Sequence, residues 1–493
     1  MKRRNLRPWL AALAMLLVLF AGYRLLRPRP ARWCGHNVVW IVSDALRRDV
    51  IGCYGGSART PHIDWLARNG VRFESAYANA PTTLPSSLSL LTGRYSSAYF
   101  VGGPIPGGIF WVNAKDQLLA EALRERGYDA VMNLENPLVR NANGLQGFRD
   151  ARSFPLPARP RHRRRGQPPA DPRGGPAPGK PRATFDKLLH YLATVPKNRP
   201  FMALNWFYDP HAPYDPPRRF LERIPAAGAR SRVDAGMFLG KSLSMIRDEF
   251  QERNIPLDGA EREFLVGLYK AEVEWVDERI GRVLDILRRR DMLRRTILIF
   301  TADHGELLGE LGRWGHGHRY LQTLVHVPLI LFAPGMRSRS IAAPVAHVDL
   351  IPTLAAMLGV APPRPAAQGT SLLPSLDGGR QSIRPVYFSD ARNEPEGENG
   401  IDAVLLDGYK LVAAKDQAKS AFRLYHLPSD PEERLDRSVD DPAARKKLFA
   451  VILEQRRWSE RLRKANLGKL DPALDLAQER EALLRDLRRL GYL

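Results

Sequence analysis

Asp303 and His304 stand side by side directly after an apolar, β-branched run, Ile297 to Thr301. A run of that length and composition reads as a buried strand. In an open α/β sheet, ligands collect just outside the carboxyl ends of the strands. A carboxylate and an imidazole placed there can hold a divalent cation. Asp44 repeats the pattern at the end of a second apolar run, Asn37 to Ser43. His316 and His318 come one short loop after Asp303 and His304, and His211 lies in a proline-stiffened stretch, residues 208–217. Thr83 falls at or just before the start of a helix opened by Pro85. Unpaired N–H groups and the helix dipole favour an anion at such a start. A threonine hydroxyl is a weak nucleophile by itself, and a divalent metal activates and aims it. The chemistry implied is divalent-cation binding beside an anion-accepting helix start. An isolated Asp–His pair fits a solvated strand end as well as a metal site; the rest of the chain separates the two.

The elements that must position these residues alternate. Strands are expected at Asn37–Ser43, Val71–Tyr77, Tyr128–Met132, Phe201–Phe207, Ile297–Thr301 and Val327–Phe332. Helices are expected from Pro61 to a stop at Gly70, from Pro85 with Leu88 and Leu91 on a core face, over Lys115–Arg126, Thr184–Thr194 and Val348–Leu358. A long helix, Glu261–Arg290, places Phe264, Leu268, Ala271, Trp275, Ile280, Val283 and Leu287 on one stripe. Gly305 is expected to let the backbone turn sharply after His304. Residues 219–259 read as mixed helical excursions. From Pro385 the pattern changes to short strands at Val386–Ser389, Ala403–Leu406, Lys410–Ala413 and Arg423–Leu427, then helices at Pro442–Leu467 and Leu474–Leu490. This is an α/β chain: a large mixed sheet flanked by helices, with a small C-terminal antiparallel sheet plus helices.

Charge is unevenly spread over the 493 residues, whose net charge is +22. The first 32 residues carry eight basic residues and no acid, and residues 159–182 carry eight against Asp171 alone, so these segments hold 15 of the 22 charges. The body is only mildly basic, which argues against a nucleic-acid partner and for anionic lipid headgroups or an anionic substrate. Residues 157–182, rich in Pro, Gly and Arg, read as a disordered loop that interrupts the fold without ending it. Trp9–Tyr23 is an unbroken apolar run of 15, lengthened to 18 by Leu25 and Leu26. That is near the lower limit for spanning a bilayer. An uncleaved anchor is preferred to a cleaved signal peptide, which would give a secreted protein. Either places the body outside the cytoplasm. Cys34 and Cys53 are too few for a disulfide scaffold and can form one bridge or stand as two thiols.

Seven ordered blocks resemble the sulfatase family of the alkaline phosphatase superfamily: NVVWIVSDALRRD, LPSSLSLLTGRY, DPHAPY, TADHGELLGELG, GHGHRYLQTLVHVPLILFAPG, LLDGYKLV and LYHLPSDPEE. The likeness runs from about Asn37 to about Leu467. With the basic N-terminus and membrane segment read from the apolar run over 1–32, it implies a catalytic domain over 33–380 and a C-terminal subdomain over 381–493. It implies one divalent metal held by Asp44, Asp303, His304 and Thr83. Their mixed oxygen and imidazole set admits Ca²⁺, Mg²⁺, Mn²⁺ or Zn²⁺. It puts Thr83 where the family keeps its nucleophile, His211 on the transferred group or leaving oxygen, and His316, with His318 beside it, where many relatives have lysine. The chain departs from the family pattern Cys-x-Pro-Ser-Arg, reading Thr83-Leu84-Pro85-Ser86-Ser87. Threonine cannot mature to formylglycine, the family's second aspartate is Ala45, and the histidines after the nucleophile helix are replaced over Arg94–Tyr99. Thr-x-Pro is similar to the nucleophile site of nucleotide pyrophosphatases and phosphodiesterases, and membrane-anchored phosphoethanolamine and phosphoglycerol transferases also use a threonine. A hydrolase of anionic esters, glycan, lipid or small molecule, is therefore the leading expectation. The alternatives are a phospho-alcohol transferase and a non-catalytic binding relative.

Overall fold

A computed structural model describes residues 31–101, 109–136, 138–141, 143–150, 184–224, 259–317, 320–379, 383–390, 401–414, 422–468 and 485. The apolar N-terminal segment, the basic stretch 157–182, most of 219–259, the helix expected at Leu474–Leu490 and His318 lie outside the described residues. Among the described residues, no helix is long and apolar enough to cross a membrane.

The centre of the molecule is strand β1 (Asn37–Asp44), every residue of which is buried. In chain order follow β2 (Val71–Tyr77), β3 (Asp129–Leu134), β4 (Arg149–Asp150), β5 (Phe201–Pro210), β6 (Thr296–Ala302), the two-residue strands β7 (Leu307–Leu308) and β8 (Trp314–Gly315), β9 (His326–Phe332), β10 (Arg339–Ile341) and β11 (Val345–Ala346). The main sheet runs β10-β2-β9-β6-β1-β5-β3-β4, with β11 also on β2. β1 pairs in parallel with both β5 and β6, and β9 is the strand that runs antiparallel to its neighbours. Parallel strands covered on both faces are mostly apolar, as β1, β5 and β6 are, with the buried Asn205 interrupting β5.

Alternate residues of β1 enter opposite cores. Val39 and Ile41 pack with α6 (Gly259–Arg289) and α5 (Thr184–Thr194), whereas Val38, Trp40 and Val42 pack with α7 (Leu350–Leu358) and α3 (Leu119–Glu125). A third cluster joins the antiparallel meander β12 (Val386–Ser389), β13 (Ile401–Leu406), β14 (Tyr409–Ala414) and β15 (Phe422–His426) to α8 (Pro442–Leu467). The expected α/β architecture and small C-terminal sheet are both present.

Some local expectations change. Lys115–Leu118 is not helical: Lys115 N–H bonds to Asn113 Oδ1, Asp116 N–H to Asn113 O, and Gln117 pairs with Arg364. Asparagine's side chain offers the backbone a turn in place of a helix, so α3 begins at Leu119, with Glu121 reaching back to Leu118 N–H. On α6, Trp275 is only half-buried, while Glu261, Glu272, Asp277 and Arg279 are buried. The nucleophile-candidate helix α2 (Thr83–Thr92) is buried almost all round, not on one face. Small residues permit this because Ser87, Ser89 and Thr92 hydroxyls donate back to the carbonyls of Leu84, Pro85 and Leu88, leaving no stranded polar group. Cys34 and Cys53 are free.

Candidate active site and metal centre

Two parallel neighbours, β1 and β6, end side by side and deliver Asp44 from one and Asp303–His304 just past the other. Opposite them α2 begins at Thr83. Thr83 Oγ1 lies 3.2 Å from His304 Nε2 and 3.5 Å from Asp44 Oδ1. His304 Nε2 is 3.7 Å from Asp44 Oδ1 and 3.7 Å from Asp303 Oδ2. One ligand atom each from Asp44, Asp303 and His304 fall within 4.8 Å of one another, and all three residues are fully buried. Thr83, 39 positions from Asp44 and 221 from His304 in sequence, thus meets both in one cluster.

The groups around the cluster orient it. Asp303 Oδ1 accepts the N–H groups of Ala45 and His304, at 3.0 and 2.8 Å. Ala45 adopts a left-handed backbone, φ 56°, that aims its N–H there. Asp303 Oδ2 has no hydrogen-bond partner among the described residues. His304 Nδ1 donates to Gly305 O at 2.8 Å, which leaves the Nε2 lone pair turned to Thr83 and the carboxylates. Burial and the Asp303 charge push the Asp44 carboxyl well above the carboxylate range, and burial pushes Asp303 up to about 7. Burial, then the neighbouring His316, pushes His304 down to about 4. Two buried carboxylates, one with an unpartnered oxygen, a neutral imidazole nitrogen and a hydroxyl make a donor set that fits one divalent cation, whose charge would bring both carboxyls back down and hold His304 neutral.

His211 and His316 complete a row of rings. His316 lies 4.2 Å from His304 between ring centroids, and His211 lies 5.0 Å beyond His316 and 4.8 Å from Tyr208. The structure brings together Asp44, Thr83, Asp303, His304, His211 and His316. β5 runs on to Pro210, past the strand end expected at Phe207, and so carries His211 up to this row.

Several residues escaped the sequence reading. Asn136, just past the end of β3, donates to Asp44 Oδ2 at 2.7 Å. The strand-end rule that flagged Asp44 applies to it equally. Glu306 is fully buried and its Oε1 lies 3.0 Å from His316 Nδ1; burial pushes its carboxyl up to about 8. Ser86 donates to the Asp303 carbonyl at 2.5 Å and lies 3.2 Å from buried His347 Nδ1, tying α2 to the strand end.

Gly305 acts differently from expectation. Its φ is not positive; instead a Cβ there would sit 1.9 Å from the Thr323 carbonyl oxygen. Close backbone approach, not a left-handed turn, requires the glycine. Gly305→Ala is expected to destabilise the chain by at least about 2 kcal/mol; a thermal melt indistinguishable from wild type would show that the 323 backbone yields.

The sulfatase family model matches residues 36–360. Human arylsulfatase A is 28% identical over 417 residues, covering 80% of this chain and 77% of that protein. The choline-sulfatase of Rhizobium meliloti (strain 1021) is 24% identical over 434 residues, covering 77% and 76%. Among solved structures, the phosphonate monoester hydrolase of Agrobacterium radiobacter superposes with a TM-score of 0.63 at 21% identity, covering 86% of this chain and 96% of that one. BT4656, solved in complex with its substrate D-glucosamine-2-N,6-O-disulfate, gives 0.65 at 21% identity, covering 86% and 98%. With two independent strand ends delivering the quoted blocks to one buried cluster, and a family match over most of the chain, this protein belongs to the sulfatase family of ester hydrolases.

Proposed function

We propose that this chain is a metal-dependent hydrolase that cleaves phosphate or sulfate esters, phosphoesters by preference, with Thr83 as nucleophile. The observation that carries the reading is the position of Thr83 Oγ1, 3.2 Å from His304 Nε2 and 3.5 Å from Asp44 Oδ1 at the first turn of a ten-residue helix. The helix start offers N–H groups to the anionic ester oxygens. Asp44, Asp303 and His304, with Thr83, would hold a divalent ion, which when bound supplies Lewis-acid charge neutralisation and lowers the hydroxyl pKa. Thr83 Oγ1 gives up its proton to solvent and bonds to phosphorus as the ester alcohol departs, and His211 or His316 protonates or screens that leaving oxygen. Water then attacks phosphorus, its oxygen staying on the released phosphate and one proton restoring the Thr83 hydroxyl. Phosphorus is preferred because formylglycine cannot form from Thr83. The fold accommodates both kinds of centre, since the similar structures include a phosphonate monoester hydrolase and a disulfated-sugar complex.

The run Trp9–Tyr23 with its basic flanks supports a membrane-anchored protein whose catalytic body lies outside the cytoplasm. The same segment favours the second reading, transfer of a phospho-alcohol group to a second alcohol. A parallel screen of 4-nitrophenyl sulfate, 4-nitrophenyl phosphate and bis(4-nitrophenyl) phosphate with Mn²⁺, Ca²⁺, Mg²⁺ or Zn²⁺ tests the proposal. The diester is expected to turn over fastest, and added glycerol to leave the products unchanged. Preference for the sulfate would overturn the argument from Thr83, and a glycerol adduct would favour transfer.

A further inference from the structure

Arg279 is wholly buried on α6, behind the carboxyl ends of β3 and β5. Its Nη1 donates to Asp209 Oδ2 at 3.0 Å and to Glu135 Oε2 at 3.2 Å, and its Nη2 donates to Glu135 Oε1. The guanidinium lies over the Phe207 and Phe185 rings, 3.9 and 4.4 Å from their centroids. Glu135 Oε2 also accepts the Tyr208 N–H at 2.9 Å, and the Asp209 carbonyl accepts the Ser43 hydroxyl at 2.7 Å. Both carboxylates are fully buried.

A buried cation shared by two buried carboxylates is a poor device for stability alone, because desolvation of three charges offsets much of their attraction and apolar groups of the same size often do as well. Its position gives it another use. Glu135 immediately precedes Asn136, whose amide is held at both ends: Oδ1 accepts the Leu138 N–H at 2.9 Å and Nδ2 donates to Asp44 Oδ2 at 2.7 Å. Asp209 stands two residues before His211, whose own N–H bonds to Tyr208 O at 3.0 Å. One guanidinium therefore ties together two carboxylate side chains, one directly before Asn136 and one two residues before His211.

We propose that Arg279, with Glu135 and Asp209, is a positioning element that sets Asn136 against Asp44 and His211 beside His316. The proposal rests on the reading of this site as a metal-dependent ester hydrolase. By holding Asp44 Oδ2, Asn136 leaves Oδ1 turned to Thr83 and His304. Freed from Arg279, the ends of β3 and β5 would relax independently, and the metal-ligand carboxylate and the leaving-group histidine would both lose their alignment.

The test is the full-length Arg279→Met/Glu135→Gln/Asp209→Asn variant, which removes all three charges together and so leaves none buried alone. It is expected to melt near the wild-type temperature. Its affinity for Mn²⁺, measured by titration calorimetry on the metal-free protein, is expected to fall about tenfold, the scale of groups that orient metal ligands. Its kcat on bis(4-nitrophenyl) phosphate at saturating Mn²⁺ is expected to fall about tenfold with KM unchanged within about twofold. A folded variant with wild-type Mn²⁺ affinity and kcat would reduce the triad to a packing feature and overturn the proposal. Asn136→Ala, which leaves the triad in place, is expected to reproduce the loss of Mn²⁺ affinity; wild-type affinity there would overturn it as well. Weakened Mn²⁺ binding in both variants, with a wild-type chain that cleaves no ester, would sink the reading of the site and leave the positioning role standing.

Discussion

Replacement of Thr83 by alanine is expected to lower kcat on a phosphodiester by at least roughly 10³-fold, with the fold intact and a divalent ion still bound. On the proposed mechanism the hydroxyl forms and then releases the bond to the transferred centre, while the carboxylates and His304 are engaged as metal ligands. Asp44, Asp303 and His304 bracket it at 3.2–3.5 Å or neighbour those that do. Removing a side chain this small from the first turn of α2 leaves the backbone bonds of that helix untouched. His211→Ala and His316→Ala should cost less, about 10²-fold, and most on esters of poor leaving groups, because a proton donor matters most when the departing oxygen is basic. Steady-state rates on a series of substituted nitrophenyl esters separate the cases. Undiminished turnover by Thr83→Ala would assign the nucleophile elsewhere.

Asp303→Asn is expected to weaken the divalent-ion site by more than the roughly 10–100-fold that orienting neighbours contribute. The amide oxygen can still accept from Ala45 and His304 N–H, so the turn after β6 should survive while the charge is lost. Proton competition gives a second reading of the same site. Because Asp303 is pushed up to about 7 and Asp44 is also raised, bound protons must leave as the ion enters. Mn²⁺ affinity of the wild-type chain should therefore rise with pH through the range below about 7, as Asp303 gives up its proton. Stability of the metal-free chain carries the opposite sign. A carboxyl whose folded value is raised stabilises the fold below its unfolded value, and that contribution is lost as pH rises towards about 7. Added Mn²⁺ should then restore the melting temperature most at pH 7 and above. Full Mn²⁺ content in Asp303→Asn would remove this carboxylate from the ligand set, and a pH-independent affinity would contradict its burial.

The fold was readable where burial is two-sided. Asn37–Ser43 and Ile297–Thr301 stand out because a strand covered on both faces tolerates no polar break, and each ends at a residue of the site. The long helix α6 was readable from its stripe, yet the stripe gave no hint that Glu272, Asp277 and Arg279 would be buried along it. A charged residue inside an apolar period looks like a solvated position until its partner is known. Arg279 has its partners just past the end of β3 and on β5, and neither is near it in sequence. Lys115–Leu118 failed for a local reason, the competing turn at Asn113.

By itself the sequence determined the chemical types: two acids and a histidine at strand ends, a threonine at a helix start, a loop histidine, and a motif lacking the cysteine that formylglycine needs. These follow from local pattern, since strand ends and helix starts are set by neighbours in the chain. Tertiary structure alone decided that Thr83 meets Asp44 and His304, that Asn136 and Glu306 hold Asp44 and His316, and that glycine at 305 answers to the carbonyl of Thr323. Those contacts depend on the order in which strands lie in the sheet, and that order comes from packing between faces that no local pattern encodes.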